Sequence, residues 1–197
     1  IGPCLFLMYV NDLPDNLMSS VRLFADDTIL YTTTDCSEQL QKDLKSLEEW
    51  EKKWDMHFKP SKYKHIAFSR KKSKALHNTY HLHGEAIPKV DNVKYPGVKL
   101  DSTLKWNRNT NNISGKATTT LGFIWRSIPP NLNRIRKKAY RQLLRPILEY
   151  ACTTWDAALT KGQTDDLEKV QRRAARMVKN IPRTDWVTST TGFIKEL

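Results

Sequence analysis

Residues 21–31 form two segments, apolar at alternate positions and rich in β-branched and aromatic residues, that meet at the acid pair Asp26-Asp27. Period two in β-branched and aromatic side chains predicts two short strands, and the acids between them predict a tight hairpin with carboxylates at its tip. Acids at a bend are commonly solvated turn formers. Here the flanking strands are too apolar for a surface hairpin, so the tip is expected to stand rigidly above a buried sheet. Residues 5–10 are apolar on every side, which predicts a buried helix within residues 1–16 that ends at Pro14. Leu40, Leu44, Leu47 and Trp54 follow at spacings of four, three and seven, an amphipathic helix reaching Met56, with Asp35 and Glu38 spaced as a capping box. Glu48 with Lys52 and Glu49 with Lys53 stand four apart in the favourable order on its exposed side.

Beyond residue 59 the pattern shortens again. Short strands are predicted at 66–69 and 80–82, around a basic loop at 70–74. A strand and turn at 93–100, centred on Tyr95-Pro96-Gly97-Val98, is predicted to close the sheet. From residue 101 the period becomes helical in three stripes: Ile113, Ala117, Leu121 and Ile124, then Ile135, Ala139, Leu143 and Ile147, then Leu167, Val170, Ala174 and Met177. Thr164 is the candidate cap of the last, and Pro129-Pro130, Gly162 and Pro182 punctuate the series. The expected fold class is α+β, with a mixed region over residues 1–100 and a helical region over 101–197.

A chain of 197 residues can bury one good core or two small ones. Lys and Arg number 33 against 21 Asp and Glu, for a net charge of +12 and a pI near 9.6. The leading inference is a polyanionic partner, nucleic acid first, and the alternative is a solvated basic surface. The distribution favours the partner. No acid occurs between Asp101 and Glu149, where Lys105, Arg108, Lys116, Arg126, Arg134, Arg136, Lys137, Lys138, Arg141 and Arg145 do. Residues 59–84 are likewise acid-free and carry Lys59, Lys62, Lys64, Arg70, Lys71, Lys72 and Lys74. On the last helix Lys169, Arg172, Arg173 and Arg176 fall opposite the apolar stripe, a face that can follow a phosphate backbone or simply be solvated.

Cys4, Cys36 and Cys152 have no zinc spacing and read as reduced thiols of an intracellular protein. The longest apolar run, residues 4–10, is too short to span a bilayer, and no membrane association is expected. His81 and His83 share a strand face, but without neighbouring cysteines they read as surface histidines and take no metal role. The chain opens on Ile1-Gly2-Pro3 without an initiator Met and enters an apolar segment at once, as a fragment would.

Several separated stretches match one pattern together. Gly2-Pro3-Cys4-Leu5-Phe6-Leu7-Met8-Tyr9-Val10-Asn11-Asp12-Leu13-Pro14 resembles a GPLLFxxYINDLP segment, and Phe24-Ala25-Asp26-Asp27 resembles an [FY]ADD box. Pro60-Ser61-Lys62 resembles NPSK, Lys94-Tyr95-Pro96-Gly97-Val98 resembles KYLGV, and Arg145-Pro146-Ile147-Leu148-Glu149-Tyr150 with Trp155 resembles RPxLEY followed by W. Gln171-Arg172-Arg173-Ala174-Ala175-Arg176 completes the series. In this order and spacing the chain resembles the reverse transcriptases of non-LTR retrotransposons, of the long-interspersed, jockey and chicken-repeat-like kind.

The resemblance implies an RNA-directed DNA polymerase in which a primer 3′-hydroxyl attacks the α-phosphate of a deoxynucleoside triphosphate with two Mg²⁺ ions. It implies Asp26 as a metal-ligating acid and Asp27 as its supporting neighbour. It further implies Tyr95, Pro96, Gly97 and Val98 as the turn that holds the primer end, where glycine permits close backbone approach. Lys62 would assist proton delivery to pyrophosphate or act as a fixed charge beside it. Residues 1–100 would be a partial palm, an antiparallel sheet with packed helices. Residues 101–197 would be a thumb whose Arg134, Arg136, Lys137, Lys138, Arg172, Arg173 and Arg176 grip the template-primer duplex through its phosphates.

The implied partners are an RNA template, a DNA primer, deoxynucleoside triphosphates and a missing N-terminal polymerase half, because another metal-binding Asp is expected upstream of Gly2-Pro3. The fragment alone is therefore expected to be inactive and poorly soluble. Its implied setting is an intracellular ribonucleoprotein, in nucleus and cytoplasm. Pro96 stands where Leu is usual and removes an N–H from a strand-like stretch, as in a degenerate copy. The alternative is a non-enzymatic nucleic-acid-binding remnant, and a third reading is a basic interaction protein unrelated to polymerases.

Overall fold

The structure, a computed structural model, describes residues 1–69 and 78–181. The loop at 70–74 and Pro182 lie outside the described residues. The chain forms two compact units, one of Ile1–Gly97 with Asp101–Leu104, the other of Val98–Leu100 with the chain from Lys105 onward. Helices and small two-stranded sheets are mixed, as in an α+β protein.

The first unit opens on α1 (Gly2–Tyr9), which ends five residues before Pro14 and buries no residue. Leu5, Leu7 and Met8 are exposed, and Phe6 and Tyr9 alone reach the core. The expected buried helix is thus two short turns lying on the core's edge. The first fully packed apolar residues come after it, Val10 and Leu13. Pro14 belongs to a separate 3-10 turn, Leu13–Asn16, where its missing N–H costs nothing.

Helix α2 (Ser37–Trp54) buries Leu44 and Leu47 on the predicted stripe, together with Trp50 and two acids, Asp43 and Glu51. The capping box is not formed. Asp35 lies in a 3-10 turn, Thr34–Cys36, that feeds the helix, and Cys36 holds the cap position without a side-chain bond. At the other end Asp55 takes φ +51 and closes the helix through its N–H to the Glu51 carbonyl. The expected i,i+4 partners are drawn elsewhere: Glu48 accepts the His83 N–H, and Lys53 lies 4.0 Å from Asp12.

Among the described residues the strands pair two by two: β1 (Ser20–Phe24) with β2 (Asp27–Tyr31), β3 (His81–Leu82) with β4 (Glu85–Ala86), and β5 (Asn92–Tyr95) with β6 (Val98–Asp101). The single sheet expected to be closed at 93–100 is replaced by these three ribbons. No strand forms at 66–69. Beside that stretch His65 forms an isolated bridge with Lys89, and Ser69 donates to the Ser102 carbonyl, without a ladder between them among the described residues.

The second unit contains α3 (Asn107–Ser127), α4 (Asn133–Ala139) continued by a π-helical turn (Tyr140–Leu144) into α5 (Arg145–Glu149), then α6 (Cys152–Trp155) and α7 (Lys161–Lys179). Ile113, Ala117, Leu121 and Ile124 are buried as predicted, and so are Val170, Ala174 and Met177. The middle stripe is shifted. The buried row is Arg136, Tyr140, Leu144 and Leu148, while Ile135 is 50% and Leu143 48% exposed. A four-residue repeat can be placed on either of two adjacent rows, and the row that packs carries an arginine. The cap of α7 is Thr160, four residues before Thr164, in a reciprocal capping box with Gln163.

Candidate active site

The β1–β2 register pairs Phe24 with Asp27, which leaves Ala25-Asp26 as a two-residue loop. Ala25 takes φ +53, a positive value at the first central residue that suits the twist of a two-residue hairpin. For a residue with a Cβ it costs about 1–2 kcal/mol. Val21, Leu23 and Leu30 pack one ribbon face onto the core. The other face holds Ser20, Arg22 and Phe24 opposite Tyr31, Ile29 and Asp27.

The tip stands above a half-buried ribbon, not a buried sheet, because a pair of strands packed on one side leaves its other side in solvent. Its foot is fixed by the buried Asp43, which accepts the N–H of Met18 at 3.0 Å and of Ser19 at 2.7 Å, and Gln39 Nε2 at 3.2 Å. Burial alone would raise the pKa of Asp43. The hydrogen bonds from Ser19, Met18 and Gln39 outweigh it and hold the carboxyl below its ordinary value.

Asp26 and Asp27 are exposed, and no hydrogen bond or ion pair engages either carboxylate among the described residues. Mg²⁺ asks for one or two carboxylates and fills its remaining positions with water and phosphate oxygens. Two uncommitted carboxylates on adjacent residues fit such a hard cation. Among the described residues no cluster of three or more His, Cys, Asp or Glu forms a fuller metal cage.

Tyr95 comes within the field of Asp27. Burial pushes its phenol pKa up, and the negative charge of Asp27 pushes it further. The turn after it has Pro96 and Gly97 at its centre, with Gly97 at φ +83. Proline followed by a glycine of positive φ is the arrangement of a type II turn. Pro96 therefore sits in a turn position that favours proline, not within a strand, and its missing N–H is not taken from a strand position. Val98 is buried in the second unit's core. Lys62 is exposed at the end of a 3-10 turn, Pro60–Lys62, and its backbone N–H donates to Lys59. No hydrogen bond joins it to Asp26 or Asp27 among the described residues.

Of the basic residues singled out, Arg134, Lys138, Arg172 and Arg173 are exposed, and Lys137 and Arg176 are half-buried. Arg172 pairs with Glu168 and Lys169 with Asp166 on their own helix, so part of that face is neutralised locally. Arg136 is different. It is 2% exposed, and its guanidinium donates twice to the Ile128 carbonyl, at 3.0 and 2.8 Å, and at 3.0 Å to both the Met177 carbonyl and Asn180 Oδ1. These bonds close the ends of α3 and α7, and the side chain is not presented to a phosphate.

Two anchoring acids escaped the sequence pattern. Asp12 accepts the indole N–H of Trp50 and of Trp54, each at 3.0 Å, and Asp43 holds the hairpin foot. The signals for the first were the spacing of the two tryptophans, i and i+4 on one helix, and its place in the Gly2–Pro14 segment. In the second unit Asn109 accepts the Lys99 N–H at 3.1 Å and so fixes β6 next to Val98.

The family model for reverse transcriptase (RNA-dependent DNA polymerase) matches residues 1–100. The chain belongs to the reverse transcriptase family. It is 25% identical over 202 residues to the "Probable RNA-directed DNA polymerase from transposon BS" of Drosophila melanogaster, covering 92% of this chain and 22% of that protein. To the RNA-directed DNA polymerase from mobile element jockey of the same organism it is 22% identical over 212 residues, covering 100% of this chain and 22% of that protein. The chain thus spans about a fifth of the length of the curated relatives it matches. No solved structure matches it.

The likeness to jockey-type retrotransposon enzymes read from the motifs stands with these relatives. Reverse transcriptases as a family use a divalent metal and bind an RNA template, a primer and deoxynucleoside triphosphates. Among the described residues no helix is long and apolar enough to cross a membrane.

Proposed function

We propose that this chain is part of the RNA-directed DNA polymerase of a non-LTR retrotransposon, with palm residues over 1–100 and a helical thumb over 101–197. The observation that carries the reading is the hairpin tip. Asp26 and Asp27 are exposed and uncommitted, at the tip of a ribbon whose foot Asp43 fixes. Asp26, in the turn itself, is the direct ligand of Mg²⁺, and Asp27 supports it. Bound Mg²⁺ ions lower the cost of forming an attacking alkoxide and stabilise the leaving pyrophosphate.

The residues of the chain supply position and charge. The Tyr95–Val98 turn receives the primer end, and Gly97 lets that strand approach the backbone. Lys62 brings a fixed charge to the polyphosphate or a proton to the pyrophosphate. Arg134, Lys137, Lys138, Arg172, Arg173 and Arg176 contact template-primer phosphates, while Arg136 keeps their helices in place. On this reading a further metal-binding carboxylate and the fingers come from the rest of the polymerase, and these 197 residues do not polymerise alone. The polymerase works as a ribonucleoprotein inside the cell, in nucleus and cytoplasm.

Primer extension on an RNA template by the full reading frame with Mg²⁺ tests the proposal. Asp26→Ala is expected to abolish extension and Asp27→Ala to weaken it, and extension that survives Asp26→Ala would refute the metal-ligand role. The acid-free run between Asp101 and Glu149 favours one second reading, a nucleic-acid-binding remnant without catalysis. It predicts binding that weakens with salt and is indifferent to Asp26→Ala.

A further inference from the structure

The solvent face of the β1–β2 ribbon does not have the composition of an ordinary outer face. Such faces are normally polar, and on a bare ribbon often lysine-rich. Here Phe24 is 60% and Tyr31 45% exposed, with Arg22 between them across the ribbon. The Arg22 guanidinium lies 5.9 Å from the centroid of the Tyr31 ring, and its Nη1 donates to the Val21 carbonyl at 3.0 Å. Its own strand therefore holds it beside the ring, as a flat cation next to a flat aromatic. Asp27 is the one acid on this face, and it lies at the tip.

We propose that this face binds a nucleic-acid strand, with Tyr31 stacking on a base and Arg22 taking a phosphate or stacking beside it. Aromatic faces interleaved with guanidinium are the chemistry that holds single strands without reading sequence. Alternate residues of a strand lie about 6.8 Å apart, so the face from Phe24 to Ser20 runs about 14 Å. At about 3.4 Å per stacked nucleotide that is room for roughly four. Arg22 supplies the cation of this face, two positions along β1 from the Phe24–Asp27 pair at the tip. The strand's end is placed at Asp26 and Asp27 by the polymerase reading, on which that part of the proposal rests. The contact itself does not need it.

The test is photocross-linking of the 197-residue chain to a short oligothymidylate and a short oligouridylate, each carrying one 4-thio base, with mass-spectrometric mapping of the linked peptide. Cross-links are expected within residues 20–31, lost in Tyr31→Ala and kept in Tyr31→Phe. Tyr31→Ala should weaken binding roughly fivefold to a hundredfold, the range of one lost stacking contact, and Arg22→Gln should weaken it and lower its salt dependence. Linking by the deoxy probe assigns the face to a primer strand, and by the ribo probe to a template strand. Cross-links confined to residues 105–181, or unchanged by Tyr31→Ala, would overturn the proposal, as they would if a protein partner covers this face. Asp26→Ala should leave the cross-link intact, so this proposal and the metal assignment fail separately.

Discussion

Arg136 offers the sharpest test of the helical unit, because it reads as a phosphate contact in sequence and as a buried tie in structure. In Arg136→Met the stem's packing is largely kept and the guanidinium is lost. The Ile128 carbonyl then loses both donors it receives from Arg136, and the Met177 carbonyl keeps only the long contact from the Asn180 N–H at 3.4 Å. An orphaned buried carbonyl costs about 1–3 kcal/mol, and hydrogen bonds from charged donors stand at the upper end. One carbonyl fully orphaned and one partly so gives a loss of about 3 kcal/mol. For a chain of this size that corresponds to a fall in Tm of about 6–12 °C.

Urea and thermal unfolding followed by far-ultraviolet circular dichroism would measure it, with hydrogen exchange at the ends of α3 and α7 localising the loss. Arg134→Ala, at an exposed position two residues away, should change stability by less than about 0.5 kcal/mol. If Arg136→Met were as harmless as Arg134→Ala and yet weakened nucleic-acid binding, the guanidinium would be a phosphate ligand and its role as a tie would be wrong.

Asp43→Asn should cost about 1–3 kcal/mol by weakening the two backbone bonds at the hairpin foot. Because the folded-state pKa of Asp43 lies below 3.8, its stabilisation is complete above that value and is lost as pH falls through the folded value, so the variant's acid unfolding curve should be flatter below pH 3.8. Asp12→Asn keeps one acceptor for two indoles and should red-shift tryptophan emission while costing about 1–2 kcal/mol, and an unshifted spectrum would remove the clamp. Gly97→Ala forces a Cβ into a positive φ and should destabilise by about 1–2 kcal/mol, whereas Pro96→Leu should lose only about 0.4–1 kcal/mol of unfolded-chain restriction. Paired chemical denaturations of these two variants would separate a type II turn from a strand.

What the sequence could reveal here follows from which interactions leave a periodic trace. The hairpin was legible because two strand-like segments meet at adjacent acids, which puts Asp26 in the turn, and its Val21, Leu23 and Leu30 pack inward. The first and last helical stripes were legible from their apolar period. The middle one was not, because the packed row owes its place to Arg136, and an arginine that satisfies carbonyls at two helix ends leaves no hydrophobic signal. Asp43 and Asp12 were hidden in the same way: a carboxylate that accepts backbone or indole N–H groups has the same letter as one that awaits a metal. Adjacent acids in a turn and isolated acids beside helices differ only in whether their oxygens are already engaged. Among the described residues Asp12 and Asp43 are engaged and hold the scaffold, as backbone N–H groups also engage Glu48 and Glu51, while the pair at the tip is unengaged. The same rule separates Arg136 from Arg22, whose guanidinium binds one local carbonyl and leaves its remaining donors beside an exposed ring. Hydrogen-bond commitment, more than charge or position along the chain, therefore decides which of its ionised residues are candidates for contact with nucleic acid.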